Sequence, residues 1–215
     1  MRFCPILAVA LSLAVAPSAY AGAVSFDDRW EHQRFSLFSA NDFDHEGATL
    51  DVVSEGTVSL TWLALPEADW GARAASWDWS VTEGVPATDL TKKGGDDRDL
   101  ALYFVFLPET VARELSGAPI RKLLDAAEAR VLVYVWGGQS APGSVLPSPY
   151  LGDRGKTVVL NGAGTGQASE SVDLAADHER AFGGAPERLV GLAVSADSDD
   201  TKSVIRGAVS NLVLN

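Results

Sequence analysis

Cysteine is almost absent from the chain: Cys4 is the only one among 215 residues. A disulfide or a thiolate metal site needs at least two, so neither is available to hold the fold together. Histidine is nearly as scarce, at His32, His45 and His178, and no His-x-x-x-His pair occurs. A zinc site would have to borrow carboxylates. Basic clusters are missing as well: Lys92-Lys93 is the longest run, against a formal charge of −12. Counterion release from phosphate needs a basic face, so nucleic acid is a poor partner and anionic headgroups are disfavoured. No apolar run reaches the roughly 18 to 20 residues of a membrane-spanning helix.

The one apolar run of note is N-terminal. Arg2 precedes residues 6–16, apolar except for Ser12, and Pro17, Ser18, Ala19, Tyr20 and Ala21 follow. This charged, apolar, small-x-small order is that of a secretion signal cleaved after Ala21. The expectation is a signal peptide over 1–21 and a periplasmic or extracellular domain over 22–215. Cys4 leaves with the signal, so that domain has to be stable without thiols. Its length suits one domain with a substantial core. An acidic surface is compatible with neutral glycans, cationic ligands, or divalent ions held by carboxylates.

Period-two alternation recurs along the chain. Trp77, Trp79 and Val81 share one face against Ser76, Asp78, Ser80 and Thr82, and Val58, Leu60 and Trp62 alternate with Thr57, Ser59 and Thr61. Residues 100–107 and 131–136 are apolar on both faces, as strands in a covered sheet are. Further strands are expected at 34–39, 48–54, 156–161, 169–174, 189–196 and 204–214. Turn residues separate them at 44–47, 55–56, 93–96, 137–138 and 161–164. Helical spacing occurs at 109–129, broken at Pro119, and at 175–182, ended by Gly183. The pattern predicts an all-β fold: a two-sheet antiparallel β-sandwich of the jelly-roll kind, with short helical insertions near 109–129 and 175–182.

Five ordered blocks carry a family likeness: 76–79 (Ser-Trp-Asp-Trp), 93–97 with the strand ending at Val105 and Phe106, 134–136 (Tyr-Val-Trp), 177–183 (Asp-His-Glu-Arg-Ala-Phe-Gly) and 196–201 (Ala-Asp-Ser-Asp-Asp-Thr). In this order they resemble an uncharacterised family of exported bacterial proteins, domain-of-unknown-function family 3047. The resemblance implies a β-sandwich similar to galactose-binding-like and carbohydrate-binding domains, and no biochemical activity. The sequence departs from the family pattern in a longer connection between Phe106 and Val131. It also has Ile205, Arg206, Gly207 and Ala208 where an aromatic-aspartate pair is common.

Three kinds of site are open. Asp197, Asp199 and Asp200 lie in one turn and Asp96 and Asp97 in another; if the turns converge, their oxygens suit Ca²⁺, although the EF-hand spacing is absent. Taken singly, such turns cap themselves through side-chain to backbone hydrogen bonds. Of six tryptophans, Trp77 and Trp79 belong to the core, which leaves Trp30, Trp70 and the loop-proximal Trp136 as candidate stacking surfaces for a glycan. Catalytic sets are thin. Asp177, His178 and Glu179 point about 100° apart on a helix, so Asp177 is expected to cap it and His178 to sit at the core edge or in solvent. No Gly-x-Ser-x-Gly elbow occurs, and residues 162–166 lack the dinucleotide spacing. Glu170, Asp173 and Asp78 are unranked carboxylates for glycoside hydrolysis. The reading is therefore a non-catalytic binding module for a glycan or envelope component. The alternatives are a polysaccharide hydrolase or lyase, or a structural partner of an envelope protein.

Overall fold

The computed structural model describes residues 22–215; the signal reading at 1–21 and Cys4 lie outside the described residues. Thirteen strands and three short helices follow in order: β1 Gly22–Ala23, β2 Glu31–Arg34, β3 Asp42–Glu46, β4 Thr49–Glu55, β5 Val58–Ala64, β6 Ala74–Glu83, β7 Arg98–Leu107, α1 Glu109–Glu114, α2 Ile120–Asp125, β8 Arg130–Trp136, β9 Val145–Ser148, β10 Gly152–Asn161, β11 Gly166–Asp173, α3 Leu174–Phe182, β12 Arg188–Asp197 and β13 Val204–Leu214. One sheet runs β11-β6-β13-β4-β3, with β1 added on β13; the other runs β2-β5-β12-β7-β8-β10-β9. This is the two-sheet sandwich that the alternation predicts. One correction applies to the pairing, because β8 and β10 are parallel where an all-antiparallel arrangement is expected. The loop from Gly137 and β9 carry the chain back to start β10 in the same direction as β8.

The core forms where the inward faces meet. Trp77 and Trp79 of β6 pack edge to face at 5.5 Å, Trp77 lies 5.6 Å from Tyr134, and Trp79 lies 5.7 Å from Trp136. Leu100, Leu102, Phe104 and Phe106 complete the inward face of β7 and are fully buried. Each such side chain contributes about 1.5–3 kcal/mol by leaving water. The outward residues Ala101, Val105, Val133 and Val135 are buried too, which explains why β7 and β8 read as doubly apolar. Contacts of α1 with β12 and of α2 with β7 place the helical insertion against this sheet.

Helix α3 is capped by Asp173, which accepts from the Ala176 N–H at 2.9 Å, and ends on Gly183 at φ 79°. The expected cap, Asp177, instead accepts from the Tyr134 hydroxyl at 2.8 Å and pairs with Arg180. His178 is buried, lies edge-on to Phe106 at 5.2 Å, and shares a 2.7 Å hydrogen bond between Nδ1 and the Gly184 carbonyl. Near the N-terminus the strand expected at 34–39 is displaced: β2 ends at Arg34, and residues 35–41 form a loop. The turn expected at 44–47 is the end of β3, whose alternate Phe43 and His45 face inward.

Candidate functional site

Edge strands β2 and β3 belong to different sheets and face each other across an opening between the layers. His32 of β2 meets Phe43 of β3 edge to face at 5.2 Å. His45 of β3 reaches over to the other sheet, its Nε2 3.1 Å from Thr61 Oγ1, and His32 Nε2 lies 2.9 Å from Ser59 Oγ. Between them is a cleft of about 410 Å³, whose walls include Trp30, Arg34, Phe38, Asn41 and Asp42 with the two histidines. It combines aromatic surface with a few convergent polar groups, the composition of a small-ligand site.

One residue fixes the loop that borders it. Asn41 is buried; its Nδ2 donates to the carbonyls of Ser59 at 3.1 Å and Ala196 at 2.8 Å, and its Oδ1 accepts from Thr57 Oγ1 at 2.7 Å. Its own N–H donates to Ser59 Oγ at 2.9 Å. At the other end of the loop the Arg34 carbonyl accepts from Arg121 of α2 at 3.2 Å. The loop held at these two points carries three of the exposed large apolar side chains: Phe35 at 54 %, Leu37 at 89 % and Phe38 at 97 %. Folding gains nothing from leaving such residues in water, and clusters of this kind mark interaction surfaces.

Burial, first of all, holds both cleft histidines below the ordinary imidazole value of 6.5. Each is neutral at pH 7, and Nδ1 of neither ring has a hydrogen-bond partner among the described residues. The His32–Ser59 contact looks like a nucleophile with its base, but Ser59 is 0 % exposed and its oxygen already accepts from the Asn41 N–H. No substrate atom can reach it.

The three tryptophans expected to be exposed are buried. Trp30, Trp70 and Trp136 are 5–6 % exposed, and their indole N–H groups donate to the carbonyls of Ser25, Leu65 and Gly164 at 3.0, 3.0 and 2.8 Å. An indole becomes stable in a core once a carbonyl meets its one donor, and nearness to a loop provides that carbonyl. Trp30 contributes to the cleft wall, with too little free surface to serve as a platform. Free aromatic surface on this loop comes from Phe35 and Phe38, whose sequence signal is an apolar cluster (Phe35, Leu37, Phe38) between polar neighbours, which reads equally well as a strand.

The acidic turns do converge. Asp97 accepts from Thr201 N at 2.7 Å and Thr201 Oγ1 at 2.6 Å through Oδ2, and from Asp200 N at 3.3 Å through Oδ1. Carboxylate oxygens of Asp97, Asp199 and Asp200 lie within 4.8 Å of one another. Asp96 and Asp197 stand beside them, both bound to Arg98 Nη1, at 3.3 and 3.2 Å. Arg98 also donates to Tyr103 at 2.7 Å, and Tyr150 donates to Asp96 at 3.0 Å. Burial pushes the Asp197 carboxyl upward, with Arg98 opposing and the neighbouring aspartates reinforcing the rise. The other carboxylates named for catalysis have structural partners: Glu170 accepts from Trp79 and Asn161, Asp173 caps α3, and Asp78 accepts from Ser169 and Asn211.

A family model described as protein of unknown function (DUF3047) matches residues 24–213. No curated protein sequence matches the chain. Among solved structures, a family 11 xylanase from Neocallimastix patriciarum is 12 % identical, with a TM-score of 0.43 over 94 % of this chain and 98 % of that one. The xyloglucanase domain of NopAA, a type three effector from Sinorhizobium fredii, is 10 % identical, with a TM-score of 0.47 over 93 % of this chain and 99 % of that one. Likeness at that level does not bear on activity.

Proposed function

This chain belongs to the DUF3047 family of proteins of unknown function, and we propose that it is an exported, non-catalytic binding module that holds a glycan of the cell envelope in the cleft between β2 and β3. The observation that carries the reading is the loop at 35–40, which keeps Phe38 in water on the wall of a cleft lined by two neutral imidazoles and the anchored Asn41. A pyranose ring has one apolar face of C–H groups and a rim of hydroxyls. The apolar face suits an exposed phenyl ring, and the hydroxyls suit the free Nδ1 atoms of His32 and His45 and the Arg34 guanidinium. Asp42 is the one carboxylate among the lining residues, so the cleft lacks the acid and base pair of glycoside hydrolysis.

The test is a glycan array followed by calorimetric titration, with the Phe38→Ala variant as control. The expected outcome is binding to one class of envelope or exopolysaccharide fragment, weakened about 10-fold or more by Phe38→Ala, in line with the ~1.4 kcal/mol that a tenfold change represents. The melting temperature of that variant stays at the wild-type value. Silence across a broad panel, or binding indifferent to Phe38→Ala, overturns the assignment. Release of shortened products from a bound polysaccharide would instead identify the chain as an enzyme.

A further inference from the structure

We propose that the end of the sandwich where residues 96–99 meet residues 197–202 is a divalent-cation site fitted to Ca²⁺, with Asp97, Asp199 and Asp200 as its carboxylate ligands. Its geometry rests on two segments about a hundred residues apart in the chain. Asp97, immediately before β7, is fully buried, and Asp199 and Asp200 follow the end of β12. Their carboxylates each present an oxygen within 4.8 Å of the other two. Like charges at such spacing repel, and a hard cation at roughly 2.3–2.6 Å from each oxygen removes the repulsion. Oxygen-only ligands with no histidine and no thiol select Ca²⁺ or Mg²⁺ over transition metals. An irregular turn that supplies two of the ligands accommodates the flexible coordination of Ca²⁺ better than the strict octahedron of Mg²⁺.

A second observation, independent of the trio, points the same way. The Asp197 side chain is only 8 % exposed, and its Oδ1 is buried with no hydrogen-bond partner. Its other oxygen pairs with Arg98, which follows Asp97 in the chain, and its charged neighbours include Asp199, Asp97 and Asp96. Three buried carboxyl groups, Asp96, Asp97 and Asp197, thus gather around the half-buried guanidinium of Arg98. Buried polar oxygens are hydrogen-bonded, paired or bound to metals, and Asp197 Oδ1 has none of these partners among the described residues. Lys202 Nζ donates to the Asp199 carbonyl oxygen from the solvent side. It is a partial internal substitute that an ion would have to compete with.

The test is thermal unfolding of the purified protein, stripped with chelator and then given Ca²⁺ or Mg²⁺, with equilibrium dialysis against ⁴⁵Ca²⁺. For a Kd of about 10⁻⁴ M, ~10 mM Ca²⁺ raises the melting temperature by about 5–10 °C. Mg²⁺ raises it less. The Asp199→Asn/Asp200→Asn double variant, altered only near the surface, folds without added ion and loses at least 10-fold in Ca²⁺ affinity. Lys202→Met binds Ca²⁺ severalfold more tightly, an effect that a purely structural turn would not show. No bound ⁴⁵Ca²⁺ together with an unchanged melting temperature, or affinity indifferent to both variants, overturns the site.

Discussion

Asn41 shows how much a single side chain carries. Its amide meets two carbonyls and one hydroxyl in a buried setting, joining the loop to β5 and β12. Asn41→Ala strands those partners, at a cost of about 2–4 kcal/mol, or ~4–15 °C in melting temperature for a domain of this size. Asn41→Asp turns a carboxylate against two carbonyl oxygens and is at least as damaging; thermal unfolding of the two variants checks both expectations. The cleft histidines contribute one share of the pH dependence, and the Asp99 and Asp197 carboxyls, pushed up by burial, contribute a share of opposite sign. Both histidines have folded values depressed below 6.5 by burial, so the unfolded chain binds protons more readily. Their contribution to stability is whole above about pH 6.5 and is lost as pH falls below it. Relative to wild type, a His32→Gln/His45→Gln variant is expected to lose less melting temperature from pH 7 to 5, the slope that remains being set by the buried His178 against Asp99 and Asp197. At this scale the sequence was only partly legible. The acidic residues of both turns are visible in it, whereas Trp30, Trp70 and Trp136 look exposed because nothing in the chain says which carbonyl will meet an indole N–H.

Among the elements, legibility follows the number of buried faces. Strands β6, β7 and β8 announce themselves because one or both faces are uniformly apolar, and β13 is recognised at its observed bounds. The edges are harder. In β3 the residues Asp42, Asp44 and Glu46 point outward and only Phe43 and His45 turn in, so a real strand has the composition of a turn. The opposite occurs at 35–38, where apolar residues suggest a strand and the chain forms an exposed loop. Replacing residues 35–39 by Gly and Ser while keeping Asn41 is expected to leave the melting temperature within about 2 °C of wild type, since surface changes fall within about ±0.5 kcal/mol. Glycan binding is expected to disappear. Within β13, Gly207 marks a close approach: a Cβ there would stand 2.7 Å from the Ser80 carbonyl oxygen of β6 and 3.1 Å from Leu100 Cδ1 of the opposite sheet. Gly207→Ala is therefore expected to cost about 1–3 kcal/mol by overpacking, seen as a lower urea midpoint. Neither contact is visible in a sequence, because both depend on sheet register and layer spacing.

For the whole molecule, one core spans both sheets and the helical insertion, and it includes no cross-link among the described residues. A chain with one cysteine has no intramolecular disulfide to lose, so reducing agent is expected to leave the melting temperature unchanged. Fold class was the most legible property, since the period of the hydrophobic pattern dictates layers; the pairing of β8 with β10 in parallel was not, since it depends on the path of the loop between them. The site was the least legible, because it is made where β2 and β3, from different sheets, come together at an edge. The central claim, that this edge is where the ligand sits, is tested most directly by amide chemical-shift mapping during titration with the glycan that the array identifies. The account predicts shifts concentrated in residues 30–45 and on β5 around Ser59 and Thr61. Shifts centred elsewhere, for instance on the depression on the outer face of β6 and β11 around Asp78, Gln167 and Ser169, would contradict it.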